Sequence, residues 1–231
     1  MKTLICKRAL TKVFLAVAIA APMSLAAQID IPNINGIRDF DFGLACELTL
    51  KQGDKPSLVI TGDEDAISEL YFRTSVDRLT IRTHQRHQHK EDVKITLTVP
   101  EINELAISGV VDLYTPNTLN FDRMRVEVSG VADLNMKIKA QQFTLYASGV
   151  LDADLSGETK DLKLDISGTG SLDATELNTT NCKVDISGMG TAEVNATENL
   201  DASVSGMGKI GYTGHPRVYA HTSGFGRIRK L

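Results

Sequence analysis

The chain has 231 residues, of which 42% are hydrophobic, 23% charged and 5% aromatic, with 18 glycines, three cysteines and no tryptophan. That composition supports one packed core and excludes wholesale disorder and a disulfide scaffold. It also tells against a sugar cleft built on indole platforms. The formal net charge is −4, which removes nucleic acid as an expected partner, because phosphate binding needs a net basic surface.

Residues 1–26 carry Lys2, Lys7, Arg8 and Lys12 and no acid, then an apolar run from Val13 to Ala21, then Pro22 and a string of mostly small residues. This is the layout of a secretory signal peptide, with cleavage expected after Ala26 and Ser24 at the −3 position. The run is well short of the roughly 20 apolar residues of a spanning helix, so an uncleaved anchor is the weaker reading. No cysteine stands directly after the run, which disfavours a lipid anchor. No integral membrane segment is expected in the mature chain. Removing the four basic residues takes the formal net to −8. The charge is also polarised: 202–231 has no acid and carries Lys209, Arg217, Arg227, Arg229 and Lys230, leaving −13 on the rest of the mature chain.

Residues 27–104 read as irregular strands. Phe40, Phe42, Leu44, Cys46, Leu48 and Leu50 alternate with polar residues, and so do Leu79 and Ile81, then Val93, Ile95, Leu97 and Val99. Residues 63–70 suit a short helical turn.

From 105 to 231 the chain repeats. Ser-Gly recurs at Ser108-Gly109, Ser129-Gly130, Ser148-Gly149, Ser167-Gly168, Ser187-Gly188, Ser205-Gly206 and Ser223-Gly224, at intervals of 21, 19, 19, 20, 18 and 18 residues. Ser156-Gly157 is out of phase. With each serine as position zero, positions −1, −3 and +5 are mostly Leu, Ile, Val or Ala, and the residues between are mostly polar. Period-two alternation is a strand signal. Two short strands per unit, turned at a Gly-rich corner and repeated near 19 residues, predict a solenoid of β-coils, in which each coil buries its apolar face only by stacking on its neighbours. A parallel β-helix meets this, with successive coils about 4.8 Å apart. The corner glycines are expected to supply positive φ, and small residues there let coils approach closely. Seven serines without a matched histidine and acid argue against a catalytic serine.

Cys182 shares the −5 column with Met124, Phe143, Leu162, Leu200 and Val218, and Cys46 lies in an apolar alternation, so both are expected to be buried; an oxidising compartment leaves a Cys46–Cys182 disulfide open, and two free thiols far apart along the solenoid are the preferred reading. Met189, Met207 and Phe225 share the +2 column and read as core filling.

An opening Phe-x-Phe strand, then "TLKQGDKPSLVITGDEDAI", "RLTIRT", "VKITLTVPEINELAISGVVDL" and the serial "DISGTGSLDA" and "DISGMGTAEV" units resemble the bacterial family called putative auto-transporter adhesin, head GIN domain, over roughly residues 37–231. The resemblance implies a right-handed β-helix exported to the periplasm, the outer-membrane surface or the medium. It implies adhesion and offers no catalytic residues. A translocator barrel of many alternating strands is not seen before the final "GRIRKL", so export through a barrel of its own is not expected.

His84, His87 and His89, followed by Glu91 and Asp92, form the densest set of metal-ligating types and would suit Zn²⁺ or Cu²⁺; a solvated connection containing Arg86 and Lys90 is the competing reading. Asp112, Asp133 and Asp152 fall in one column of successive coils and read as a cation ladder or, more simply, a solvated acidic stripe. The basic final coil reads as protection of an exposed strand edge or as a contact for anionic surfaces. No cofactor is expected. The expectation is a single β-helix over 27–231 acting as a non-enzymatic, adhesin-like or envelope-structural module, with cell-surface polysaccharide or envelope proteins as partners. The alternative is a polysaccharide-acting lyase or hydrolase on the same fold, which would need a cleft of converging carboxylates and bases.

Overall fold

The structure, a computed structural model, describes residues 27–31, 34–84 and 93–231; the proposed leader, His87 and His89 lie outside the described residues. Alternation builds it. Inward positions are almost all apolar and outward ones mostly polar, so each segment is extended and buries one face.

The repeating part begins with β10 (Leu119–Val128), reached in chain order after β1 (Ala27–Ile31), β2 (Asp39–Gly43), β3 (Ala45–Gln52), β4 (Ser57–Gly62), β5 (Leu70–Thr74), β6 (Arg78–Thr83), β7 (Val93–Val99), β8 (Glu104–Ile107) and β9 (Val110–Tyr114). It continues through β11 (Val131–Ala147), β12 (Val150–Ile166), β13 (Thr169–Ile186), β14 (Met189–Val204), β15 (Met207–Gly214), β16 (Arg217–Thr222) and β17 (Arg227–Lys230). All are parallel neighbours in one hydrogen-bonded sheet that winds into a β-solenoid. Instead of two short strands per unit, β11 to β14 each run 16 to 18 residues from one Ser-Gly corner to the next. The bends away from that corner are made without leaving the ladder. Register shifts at Asp154/Gly157, Ala174/Asn178 and Thr179/Asn181 absorb the unequal coil lengths.

Each coil offers three faces: a pre-corner face (for example 144–147), a post-corner face (131–136) and a back face (138–142). Leu105, Val126, Leu145, Leu164, Val184 and Ala202 stack inside in register, and Phe143, Leu162, Cys182 and Leu200 form another buried column. In the last coil Val218 has one neighbouring coil and is 37% exposed.

Two expectations change. None of the seven corner glycines has a positive φ; among the described residues that conformation belongs to Gly36, Gly62, Gly157 and Gly214. The corner glycines are required by contact. A Cβ on Gly130, Gly149, Gly168, Gly188, Gly206 or Gly224 would land on the carbonyl oxygen of the corner glycine one coil before it, and one on Gly109 would land on the Leu44 carbonyl oxygen. The out-of-phase Gly157 is the one that uses positive φ, at 110°. The second change concerns Met189, Met207 and Phe225, which are 52%, 58% and 91% exposed. Position +3 (Val111, Ala132, Leu151) and position +5 point inward, so on an extended strand position +2 must point out.

The N-terminal coils are irregular because they stack out of order. β2 pairs in parallel with β6 on one side and β8 on the other, and β3 with β7 and β9. The coil of β2 and β3 is therefore enclosed by two coils that follow it in the chain. Beyond β6 and β7 the sheet is finished by antiparallel strands: β5 on β6, β4 on β7 and β1 on β4. A helical turn, α1 (Glu64–Ser68), follows β4; the Asp63 carboxylate caps it, accepting from the Asp65 and Ala66 amides at 3.0 and 3.1 Å. Ala66 and Ile67 join the core.

Cys46 and Cys182 are buried and free. Four strand spacings separate β3 from β13, about 19 Å along the axis and far beyond disulfide reach.

Candidate functional site

The pre-corner face carries the richest chemistry. Outward positions on β6, β2, β8, β10 and β11 are Arg78, Asp39, Glu104, Arg125 and Thr144 in one column, with Thr80, Asp41, Ala106, Glu127 and Tyr146 in the next. Ala106 has only a methyl group among long neighbours. It forms the floor of an open depression of about 550 Å³, walled by Arg78, Arg82, Arg125 and Tyr146 and edged by Ser108, Ser129, Ser148 and Ser167.

Charge in this depression is ordered by ion pairs. Arg78 Nη2 donates to Glu104 Oε1 at 2.7 Å and to Asp39 Oδ2 at 3.4 Å. Burial would lower the Arg78 pKa, but Glu104 and Asp39 together outweigh it and hold the guanidinium above its ordinary value. Arg82 lies across Gly43, where a Cβ would strike its side chain, and donates to Asp41 Oδ2 at 2.8 Å and to Ser108 Oγ at 3.3 Å. Arg125 Nε donates to Glu127 Oε1 at 2.6 Å, and that bond raises its pKa. Tyr146 has Arg125 4.6 Å and Lys163 Nζ 4.9 Å from its ring centroid, and Lys163 donates to the Tyr146 hydroxyl at 2.9 Å. Among the described residues Asp41 Oδ1 is the one buried side-chain oxygen or nitrogen without a hydrogen-bond partner, a costly state for a charged group.

The stacking brings four of the seven Ser-Gly serines to this rim, in local roles. Ser129 donates to the Ile107 carbonyl at a long 3.5 Å and Ser167 to the Asp165 carboxylate at 3.1 Å. Ser187, Ser205 and Ser223 continue the line along later coils. Asp112, Asp133 and Asp152 stand in register on the post-corner face, preceded by Glu47 and followed by Ser171. His84 stacks on Tyr71 with ring centroids 4.5 Å apart. Among the described residues no three His, Cys, Asp or Glu side chains are grouped to hold a metal ion, and no helix is long and apolar enough to cross a membrane.

The family model for the putative auto-transporter adhesin, head GIN domain, matches residues 41–216. The chain belongs to that family. Its head GIN fold is similar to that of a putative adhesin from Bacteroides fragilis, at 25% identity over 91% of this chain and 99% of that one, with a TM-score of 0.84. It is also similar to a putative lipid binding protein from Parabacteroides distasonis (20% identity, 89% and 96% coverage, TM-score 0.64). A putative adhesin from Parabacteroides merdae has a similar fold as well (17% identity, 89% and 96% coverage, TM-score 0.60). No curated protein sequence matches the chain. The Arg78, Arg82 and Asp41 grouping of this head GIN domain was not anticipated from sequence. Arg78 and Arg82 are four apart on a strand and share a face, which is a readable signal, but their meeting with Asp39 and Asp41 depends on the out-of-order stacking of β6 on β2.

Proposed function

We propose that the chain is an exported, non-enzymatic binding module that holds a hydroxyl-rich glycan on its pre-corner face, a reading that fits cell-surface or envelope polysaccharide. The leader-like composition of residues 1–26 supports export to the envelope or beyond, leaving residues 27–231 as one solenoid unit. The observation that carries the binding reading is the open depression over Ala106, where the partly exposed guanidiniums of Arg78 and Arg82, the Tyr146 ring and the Ser108, Ser129, Ser148 and Ser167 hydroxyls converge. Sugar hydroxyls accept from guanidiniums and exchange hydrogen bonds with serine hydroxyls, and the Asp41 carboxylate holds the Arg82 guanidinium at that rim through Oδ2. Catalysis finds less support. Glycoside hydrolysis uses one protonated carboxyl and one available carboxylate, whereas Asp41 and Glu127 are held by Arg82 and Arg125, and Asp165 accepts from Ser167.

A glycan-array screen of the purified protein tests this. Binding is expected, and Arg82→Ala, which removes a charged donor, should weaken it by about tenfold, while Asp41→Asn, which releases the Arg82 guanidinium, should weaken it as well. Folded variants that bind as tightly as the parent, or a parent that binds no glycan, would remove the site. New reducing ends released from a bound glycan would establish the enzyme reading instead.

A further inference from the structure

The post-corner face carries an apolar ladder. Val110, Val131, Val150, Thr169, Met189 and Met207 stand opposite one another in successive coils. Phe225 lies two residues before Arg227, which pairs with Lys209. The hydrophobic members are 40 to 91% exposed. At about 4.8 Å per coil the ladder is about 29 Å long, a contiguous stripe rather than scattered surface residues.

Beside it, two residues further along each strand, runs a charged column. It reads Asp112, Asp133, Asp152, Ser171, Thr191, Lys209 and Arg227, acidic at one end, neutral in the middle and basic at the other. Such a column is complementary to its own reverse. We infer that this face docks a second copy of the chain, the two solenoid axes antiparallel, with a two-fold axis running along the strand direction at the Thr169–Ser171 coil. That operation places each column over the same column of the partner in reverse order. Phe225 then meets Val110, Met207 meets Val131 and Met189 meets Val150. In the charged column Arg227 meets Asp112 and Lys209 meets Asp133. The parallel arrangement would set aspartate on aspartate and arginine on arginine, which like-charge repulsion opposes. The contact is isologous and closes at two copies.

The face is about 29 Å by about 17 Å, a footprint of about 500 Å² per partner and near the lower bound for a specific interface. A dimer in the micromolar range is expected, weakened about tenfold or more by high salt. Sedimentation velocity of the purified protein should show it. The decisive test is a charge exchange. K209E/R227E and D112K/D133K chains should each sediment as monomers, while their equimolar mixture should recover the dimer. Non-reducing electrophoresis gives a second readout: a chain carrying Val131→Cys and Met207→Cys at these exposed positions should oxidise to a covalent dimer. A parent that stays monomeric at about 100 µM in low salt, a dimer indifferent to the reversals, folded variants whose mixture stays monomeric, or the absence of the covalent dimer would each overturn the inference.

Discussion

Gly168→Ala is expected to destabilise the protein by about 3 kcal/mol or more, the upper range for forcing an extra carbon into a packed site. The new Cβ would fall on the Gly149 carbonyl oxygen, with the Ser148 carbonyl close behind. Neither can yield, because backbone bonds hold both coils. The Ser167 amide donates to the Ala147 carbonyl at 2.8 Å, the Thr169 amide to the Gly149 carbonyl at 3.0 Å, and the Gly168 carbonyl accepts from the Met189 amide at 3.0 Å. Relief requires the coils to separate at the corner, which lengthens those bonds. Set against a typical total of about 5–15 kcal/mol, the loss is a large part of the protein's stability. Urea unfolding followed by circular dichroism measures it. The cause is separable as well. Asparagine tolerates positive φ better than alanine, so were backbone conformation the reason for glycine, Gly168→Asn would be the milder change. Since the corner is not at positive φ, Asn should be at least as damaging as Ala. Ser167→Ala, at an exposed hydroxyl, should cost under about 1 kcal/mol.

The second large effect is alkaline. Burial pushes both thiols up to about 12; at Cys46 the charges of Asp112 and Glu47 add to it, and at Cys182 a hydrogen bond with Thr179 partly opposes it. A thiol ionises near 9 once unfolded. Below that pH the folded and unfolded thiols are both protonated and stability does not depend on them. Between about 9 and about 12 the folded protein retains two protons that the unfolded chain releases, so stability falls with rising pH. The slope is about 1.4 kcal/mol per pH unit for each thiol, about 2.7 for the pair. Over three units this is comparable to the whole stability of a domain, so the protein should unfold before pH 12. The informative quantity is the difference between the parent and a Cys46→Ala, Cys182→Ala protein. The double variant should begin less stable, from lost packing, and show a shallower alkaline decline. Parallel declines would show that the thiols ionise in place. The same burial predicts no thiol modification of the native protein at neutral pH, and reaction of both thiols in the unfolded, unreduced mature chain.

The coil was legible because its information is local. Leu145 and Ala147 face in while Thr144 and Tyr146 face out, and the columns align once the Ser-Gly dipeptides are superposed. Burial of Cys46 and Cys182 follows from the same alternation. Met189 and Met207 face out despite their hydrophobicity because parity decides orientation: with position +5 inward, position +2 on a continuous strand is obliged to face out. The glycine corner is hidden in the sequence for a related reason. One coil read alone suggests a turn requirement, whereas the constraint comes from the next coil, in the carbonyl that each glycine admits. The candidate glycan site was least legible. Arg82 lies 41 residues from Asp41, and no periodicity indicates that β6 stacks on the far side of β2.

That stacking order bears on how the molecule is made. A solenoid assembled coil by coil could fold as it emerges, each turn laid on a finished one. Here β2 and β3 leave both edges of their coil unsatisfied until β6 and β7 return to cover one and β8 and β9 to cover the other. Roughly half of the chain must be present before the first coil is complete, and closing those distant contacts costs loop entropy before any regular stacking begins. The N-terminal half is therefore the slow, nucleating step, and the Ser-Gly coils add to it as fast local growth. Truncation from the C-terminus should remove coils in increments, whereas deletion of β6 and β7 should abolish the nucleus and with it the fold.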